Sequence, residues 1–354
     1  MKVIYVTYDS FLDHSYTIIK ELRKNCELKV FMISRDLSDE LAEWCKKTDA
    51  EFVKRKRFRN PLSMFDSIRL MRRIKKTGGI VWFNTLSAYP GILARLMLKN
   101  FLVMVHDVEY HPDSKDYYSF ISLWLAFKIL KWKISVASNT QAAIFQSKYG
   151  IKPKVFQLPV IDYYKDAAES KNYNQKSSGS MVKFFFFGSI EPYKGIEILL
   201  DAAEVLEKKN IDFKLNIYGK LKYSDSILSN RINNLKNVTL YNRYVDYKNV
   251  HTVYCENDIL ILPYKQVTQC GPLLIGYSEG VPSICNDLEG FREYVVEGRS
   301  GEFFNGTASN LAEKMEGFIN NKRKITEMSE FIMSEIYNKF SMESLVNEYI
   351  ENFK

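Results

Sequence analysis

The stretch VKFFFFGSIEPYKGIEILLDAAEVLEKKN, Val182 to Asn210, decides the fold. Its opening run, Val182–Phe187, is apolar without alternation, as in a strand covered on both faces. Gly188 ends the run and a short loop follows. Lys194-Gly195 then leads into Ile196–Lys209, where apolar residues recur at helical spacing. A strand, a glycine-bearing loop and a helix make up the repeating unit of a parallel α/β sheet. The loop sets backbone N–H groups and a lysine ammonium at a helix N-terminus. That is either a seat for a phosphate or a plain turn with a surface lysine.

The same alternation extends both ways. Downstream, strands are expected at Lys214–Tyr218, Val238–Tyr241, Asp258–Leu262 and Pro282–Cys285, with helices at Val245–Cys255 and Leu273–Gly280. From Ala308 the chain is mostly helical in pattern. Upstream, strands are expected at Val3–Thr7, Leu28–Ile33, Glu51–Lys54, Ile80–Phe83, Phe101–His106, Ile134–Ala137 and Val155–Leu158. Helical patterns at Ser15–Lys24, Ser38–Lys47 and Tyr89–Leu98 separate some of them. The polar stretch Lys165 to Ser180 is the natural linker. The fold class is therefore α/β: two Rossmann-like, doubly wound domains facing across a cleft. Ligands in such folds lie beyond the carboxyl ends of the strands.

Composition supports this and excludes other classes. The chain has 354 residues, 46% hydrophobic and 26% charged, which suits two globular domains and disfavours disorder. No apolar run approaches the roughly 20 residues of a bilayer span, and the N-terminus has the pattern of a strand, not of a signal peptide. Five cysteines without CxxC or zinc-type Cys/His spacing are expected to be reduced thiols, and a structural zinc site is disfavoured. No GxGxxG follows the first strand, and no GxxxxGK[ST], DxD, GxSxG or HExxH occurs, which disfavours NAD-type, P-loop, carboxylate-metal, serine-hydrolase and zincin chemistry.

The net charge of +8 is local. Phe52 to Lys76 holds ten basic residues against Asp66 alone, so the rest of the chain sums to −1. Arg69, Arg72, Arg73 and Lys76 fall on one helical stripe, with Leu62, Phe65, Ile68 and Met71 expected to face the core. This is either a solvated helix face or a patch that attracts anionic lipid, a lipid-linked diphosphate or nucleic acid. Each exposed basic side chain near an anionic bilayer is worth about 1 kcal/mol. No nucleic-acid recognition motif accompanies the charge, so nucleic acid is disfavoured. Tyr117 to Lys133 is aromatic-rich with a narrow polar strip; it is either a core helix or an interfacial helix anchored by Trp124 and Trp132.

The second chemical element is Asp258 to Phe304. A strand ends at Pro263, and Cys270-Gly271-Pro272 opens a helix with proline near its start. Free N–H groups of Gly271, Leu273 and Leu274 there suit an anion, and the macrodipole adds about 0.3–2 kcal/mol.

Together these stretches resemble the C-terminal half of retaining glycosyltransferases of the GT-B architecture, family 4. The Gly188…Lys194-Gly195 loop is similar to that family's diphosphate loop. Thr268-Gln269-Cys270-Gly271-Pro272, with the later Glu-Gly-Val-Pro and Gly-Phe-Arg-Glu, is similar to its nucleotide-sugar segment, in the Thr-Gln-Ser-Gly-like subgroup. His106-Asp107 within HDVEYH resembles the element facing the sugar. The resemblance implies an acceptor domain over 1–165, a nucleotide-sugar domain over 166–335, and a C-terminal helix over 336–354 packing back toward the first domain. It implies transfer of a sugar from a nucleotide diphosphate-sugar to a hydroxyl of a glycan or lipid-linked glycan, with retention. The expected setting is cytoplasmic, in polysaccharide or envelope assembly, peripheral on the membrane through Arg69, Arg72, Arg73 and Lys76. No cofactor or metal is expected.

By the same resemblance Lys194 is the fixed cation for the leaving diphosphate, His106 meets the sugar, and Asp107 orients His106 or caps the following loop. Gly188, Ser189, Tyr218, Gly219, Thr268, Gln269, Cys270, Gly271, Leu273 and Glu293 hold the donor; Asp9, Ser10, His14 and His111 border the acceptor. Two departures stand out. Thr268 and Gly276 occupy the places of the family's paired Glu, and Ser189 and Glu191 the place of a common Arg. Glu191 is expected to point to solvent, with Arg292 or Arg299 supplying the missing charge. A sugar-nucleotide epimerase of similar fold and a catalytically silent nucleotide- or glycan-binding subunit are the alternatives.

Overall fold

The computed structural model describes residues 1–56, 63–86, 88–108, 133–168, 181–222 and 226–354. The apolar runs become short strands, and the chain divides into two units: Met1–Pro159 with Met342–Lys354, and Val160–Ser341.

In the first unit the strands are β1 (Lys2–Tyr8), β2 (Glu27–Ser34), β3 (Ala50–Lys54), β4 (Ile80–Phe83), β5 (Phe101–Val105), β6 (Lys133–Val136) and β7 (Lys154–Val155). They form one sheet in the order β3-β2-β1-β4-β5-β6-β7, and every pairing is parallel. The order reverses between β1 and β4, the switch point where open α/β sheets leave a crevice. Trp82 of β4 is fully buried. It stacks on Phe156 at 4.7 Å and meets Tyr349 and Phe353 edge-on at 5.7 and 5.6 Å. The last two come from the helix Met342–Phe353, so the end of the chain closes the core of its first unit. Tyr349 donates to the Gln157 carbonyl at 2.7 Å.

In the second unit β8 (Lys183–Phe187), β9 (Lys214–Tyr218), β10 (Val238–Tyr241), β11 (Ile259–Leu262), β12 (Ser283–Asn286) and β13 (Gly301–Phe304) take the order β10-β9-β8-β11-β12-β13, again all parallel. The reversal lies between β8 and β11. The expectation of two Rossmann-like α/β domains is met. β13 was not anticipated, because Gly-Glu-Phe-Phe is short and its second residue is charged. The structure buries that Glu302 between Lys314 at 2.8 Å and Lys324.

The helix Ser63–Thr77 corrects the expected core face. Ser63, Ser67, Leu70, Met71 and Ile74 are buried, while Phe65 is 63% exposed beside Met64. The buried stripe is thus rotated from the one expected, and within it the Ser67 hydroxyl donates to the Ser63 carbonyl at 2.9 Å. Arg69, Arg72, Arg73 and Lys76 are all exposed. Among the described residues Arg73 pairs with Glu51 and lies over Phe31, whereas Arg69, Arg72 and Lys76 make no ion pair. The aromatic stretch Tyr117 to Trp132, most of the linker and His111 lie outside the described residues. No described helix is long and apolar enough to cross a membrane.

Candidate functional site

Each unit gathers polar groups at its switch point. In the second unit β8 ends at Phe187, and Gly188 takes φ +126, a left-handed value that side chains disfavour. A Cβ on Gly188 would lie 3.3 Å from Lys194 Nζ and 3.8 Å from Pro272. The glycine thus lets the ammonium and the start of the helix Gly271–Ser278 come against the backbone. Gly219, after β9, is closer still, since a Cβ there would fall 1.8 Å from the Gly188 carbonyl oxygen.

Lys194 closes a 3-10 turn, Pro192–Lys194, and is 8% exposed. Its Nζ donates to Ser189 Oγ at 3.1 Å, and Ser189 Oγ donates to Glu191 Oε1 at 2.6 Å. The ammonium also lies over the Tyr193 and Tyr264 rings at 5.7 and 5.6 Å. Burial holds the lysine below its ordinary range, with Cys270 and Glu191 opposing that fall and Lys222 adding to it. A buried cation with so few counter-charges suits an arriving polyanion.

Glu191 departs from its expected place. It is turned onto the loop, half-buried against Ser189, because the buried ammonium attracts it. Arg292 and Arg299 do not supply charge here. Arg292 is bound to Asp287 by two hydrogen bonds of 2.6 and 2.7 Å, and Arg299 lies 3.8 Å over the Phe331 ring.

The helix Gly271–Ser278 brings a further correction. The Leu273 and Leu274 N–H groups both donate to the Cys270 carbonyl, at 3.1 and 3.2 Å, so they are not free donors. Among the described residues the Gly271 N–H is left without such a bond. Cys270 is buried, and its thiol is pushed up to about 11 by burial, so it is a neutral packing group there. Tyr264, after β11, was not anticipated. It is 3% exposed, and its hydroxyl lies beside Cys270 with no partner at hydrogen-bonding geometry among the described residues. Thr268 and Gln269 are half-buried in the loop leading to Cys270. The Tyr218 ring is buried flat against Tyr241 at 4.5 Å, and Glu293 is half-buried after the short helix Glu289–Arg292.

In the first unit the residues after β1, β4 and β5 form one network. His106 Nε2 donates to the Asn84 carbonyl at 2.8 Å and lies 3.1 Å from its Oδ1. Asn84 Nδ2 donates in turn to His14 Nε2 at 3.2 Å and Thr7 Oγ1 at 3.1 Å. Ser15 Oγ bonds Thr7 Oγ1 at 2.8 Å and Tyr5 OH at 3.0 Å. Phe11 stacks on His106 at 4.4 Å. The structure therefore brings His14 and His106 together through Asn84, a residue that sequence reasoning missed. Asp107 and Ser10 are exposed. Asp9, also exposed, accepts from Ser34.

Residues 182–321 match the family described as glycosyl transferases group 1. The matched segment runs from β8 through the helix Ala308–Asn320 and holds Lys194, Tyr264 and Gly271. An uncharacterised 41.2 kDa protein of the cps region of Klebsiella pneumoniae is 27% identical over 178 residues, 49% of this chain but only 46% of the relative. An uncharacterised glycosyltransferase of Methanocaldococcus jannaschii is 26% identical over 297 residues, 82% of this chain and 80% of that one. Among solved structures, Anabaena HepE, crystallised with UDP and glucose, superposes with a TM-score of 0.76 at 14% identity, covering 99% of this chain and 98% of that chain. At that identity the likeness is one of fold, shared with GT-B glycosyltransferases.

Proposed function

We propose that the protein is a retaining glycosyltransferase of family 4 that moves a sugar from a nucleotide diphosphate-sugar to an acceptor hydroxyl. The observation that carries this is the buried Lys194 ammonium under Gly188, beside the first turn of the helix Gly271–Ser278, within the segment that matches a glycosyltransferase family. The difficult event in such a transfer is departure of the diphosphate as positive charge grows on the sugar. Lys194 and the Gly271 N–H stabilise the charge on the departing phosphates, a fixed electrostatic contribution that needs no metal. Ser189 and Glu191 hold the ammonium until the diphosphate replaces them. His106, held by Asn84, meets the sugar or the reacting oxygen, and Asp9, Ser10 and His14 border the acceptor.

The acceptor we infer is a glycan or lipid-linked glycan in polysaccharide assembly, reached from the cytoplasmic face. Exposed Met64 and Phe65 beside Arg69, Arg72 and Lys76, which have no ion pair among the described residues, support a peripheral membrane contact, since they offer apolar and cationic groups together.

Lys194→Ala is expected to lower turnover at least about a hundredfold with the thermal midpoint nearly unchanged. Steady-state kinetics with UDP-, GDP- and ADP-sugars would measure it, and unchanged turnover would remove Lys194 from the mechanism. A second reading, a nucleotide-binding subunit without turnover, is favoured by one observation. Position 276, on the helix Gly271–Ser278, is a glycine, where even a Cβ would touch Tyr254, Leu260 and Val281 at 3.5–3.6 Å, so the helix offers no carboxylate where the family often has one. Sugar-nucleotide binding without transfer across an acceptor panel would establish that reading.

A further inference from the structure

The helix Val250–Glu256 carries His251 and Cys255 four residues apart, on one face. Glu279 caps the C-terminal end of the helix Gly271–Ser278. His251 Nδ1 lies 2.8 Å from Glu279 Oε1, and Cys255 Sγ lies 3.6 and 3.8 Å from the two nitrogens of the same ring. One ligand atom from each of the three residues lies within 4.8 Å of the others. The His251 and Glu279 side chains are 8% and 3% exposed.

An imidazole, a thiol and a carboxylate form a donor set that zinc accepts and that magnesium or calcium, which want oxygen, do not. With bonds of about 2.0–2.3 Å, a tetrahedral zinc ion sets its ligand atoms about 3.3–3.6 Å apart. The sulfur-to-nitrogen distances are already of that size. The carboxylate has to open from the ring nitrogen by about half an ångström, a side-chain rotation.

We propose that His251, Cys255 and Glu279 form a binding site for one zinc-type divalent ion, with water in the fourth position, joining the helices Val250–Glu256 and Gly271–Ser278. A thiolate and a carboxylate balance the two charges of the ion. The chain order hides the site: the sequence offers only His-x3-Cys, and the third ligand comes from another helix. The joint bears on the phosphate seat. Tyr254, on the first helix, donates to the Pro272 carbonyl at 3.0 Å, in the opening turn of the second. The helix Val250–Glu256 thus grips one end of the helix Gly271–Ser278 by a hydrogen bond, and the ion fixes the other. The inference stands independently of the glycosyltransferase reading, since it concerns neither donor nor acceptor.

The test is a cobalt titration of the full chain stripped of metal with a chelator. One equivalent of Co²⁺ is expected to give the intense visible bands of four-coordinate cobalt and a thiolate-to-metal charge-transfer band. Zn²⁺ then bleaches both and raises the thermal midpoint. Cys255→Ser is expected to remove the charge-transfer band and weaken zinc binding at least about tenfold. Cys26→Ser, at a half-buried cysteine of the other unit, should change neither. A wild-type spectrum without a thiolate band, or a band that survives Cys255→Ser, overturns the proposal. Should the variant not fold, the wild-type spectrum decides alone.

Discussion

Lys194 is a cation kept in a place that disfavours cations, and its titration follows from that. Burial lowers its affinity for a proton, while a bound diphosphate needs the ammonium. Donor affinity is therefore expected to fall as the pH rises, at values below those at which an ordinary lysine titrates. Lys194→Arg, which stays charged throughout, should remove that alkaline limb in a binding titration against pH. The glycines around it are equally exacting. Gly219→Ala would drive a methyl group into the Gly188 carbonyl and is expected to abolish donor binding. Gly317→Ala, in open space on a helix, should instead add about 0.5–1 kcal/mol of stability. Thermal shift with and without nucleotide-sugar separates the two effects. At this scale the sequence was partly legible. Gly188 and Lys194 announce themselves by following an apolar strand. Asn84 and Tyr264 follow strands too, but what distinguishes them is a set of partners, or the want of one, brought from distant parts of the chain.

Secondary elements were read more fully than their faces. Most strands were legible because buried parallel strands are continuous apolar runs, and a run needs no register to be seen. The helix Ser63–Thr77 was found but turned wrongly, since Phe65 and Met64 are apolar yet exposed, and periodicity alone does not say which of two neighbouring stripes meets the sheet. β13 was missed because its Glu302 enters the interior only in company with Lys314 and Lys324. That trio joins β13 to the helices Ala308–Asn320 and Arg323–Phe331. Burial alone would push the Glu302 carboxyl up, but the two lysines outweigh it and hold the group below the usual carboxylate range. Its contribution is therefore present above the ordinary carboxylate pKa and is lost as pH falls through the lowered value. Glu302→Gln is expected to cost about 1.5–3 kcal/mol near neutrality. It should also flatten the acid limb of stability, as followed by urea unfolding at several pH values.

At the scale of the whole molecule, net charge is concentrated, not spread. Vesicles containing anionic lipid are expected to bind the protein in a salt-sensitive way. Neutralising Arg69, Arg72 and Lys76 should weaken that binding far more than neutralising Arg73, which already has Glu51. Co-sedimentation at two ionic strengths would show it, and binding indifferent to both salt and substitution would remove the membrane from the proposal. The covalent path has a consequence of another kind. The chain leaves its first unit after Pro159 and returns to it at Met342. During synthesis the second unit is therefore complete while the first still lacks the helix that covers Trp82. Until the helix Met342–Phe353 is made and folds back, that indole lacks part of its cover and stays open to chaperones and proteases. A nascent chain held before that helix is made would thus carry an unsealed first unit, whatever the state of the second.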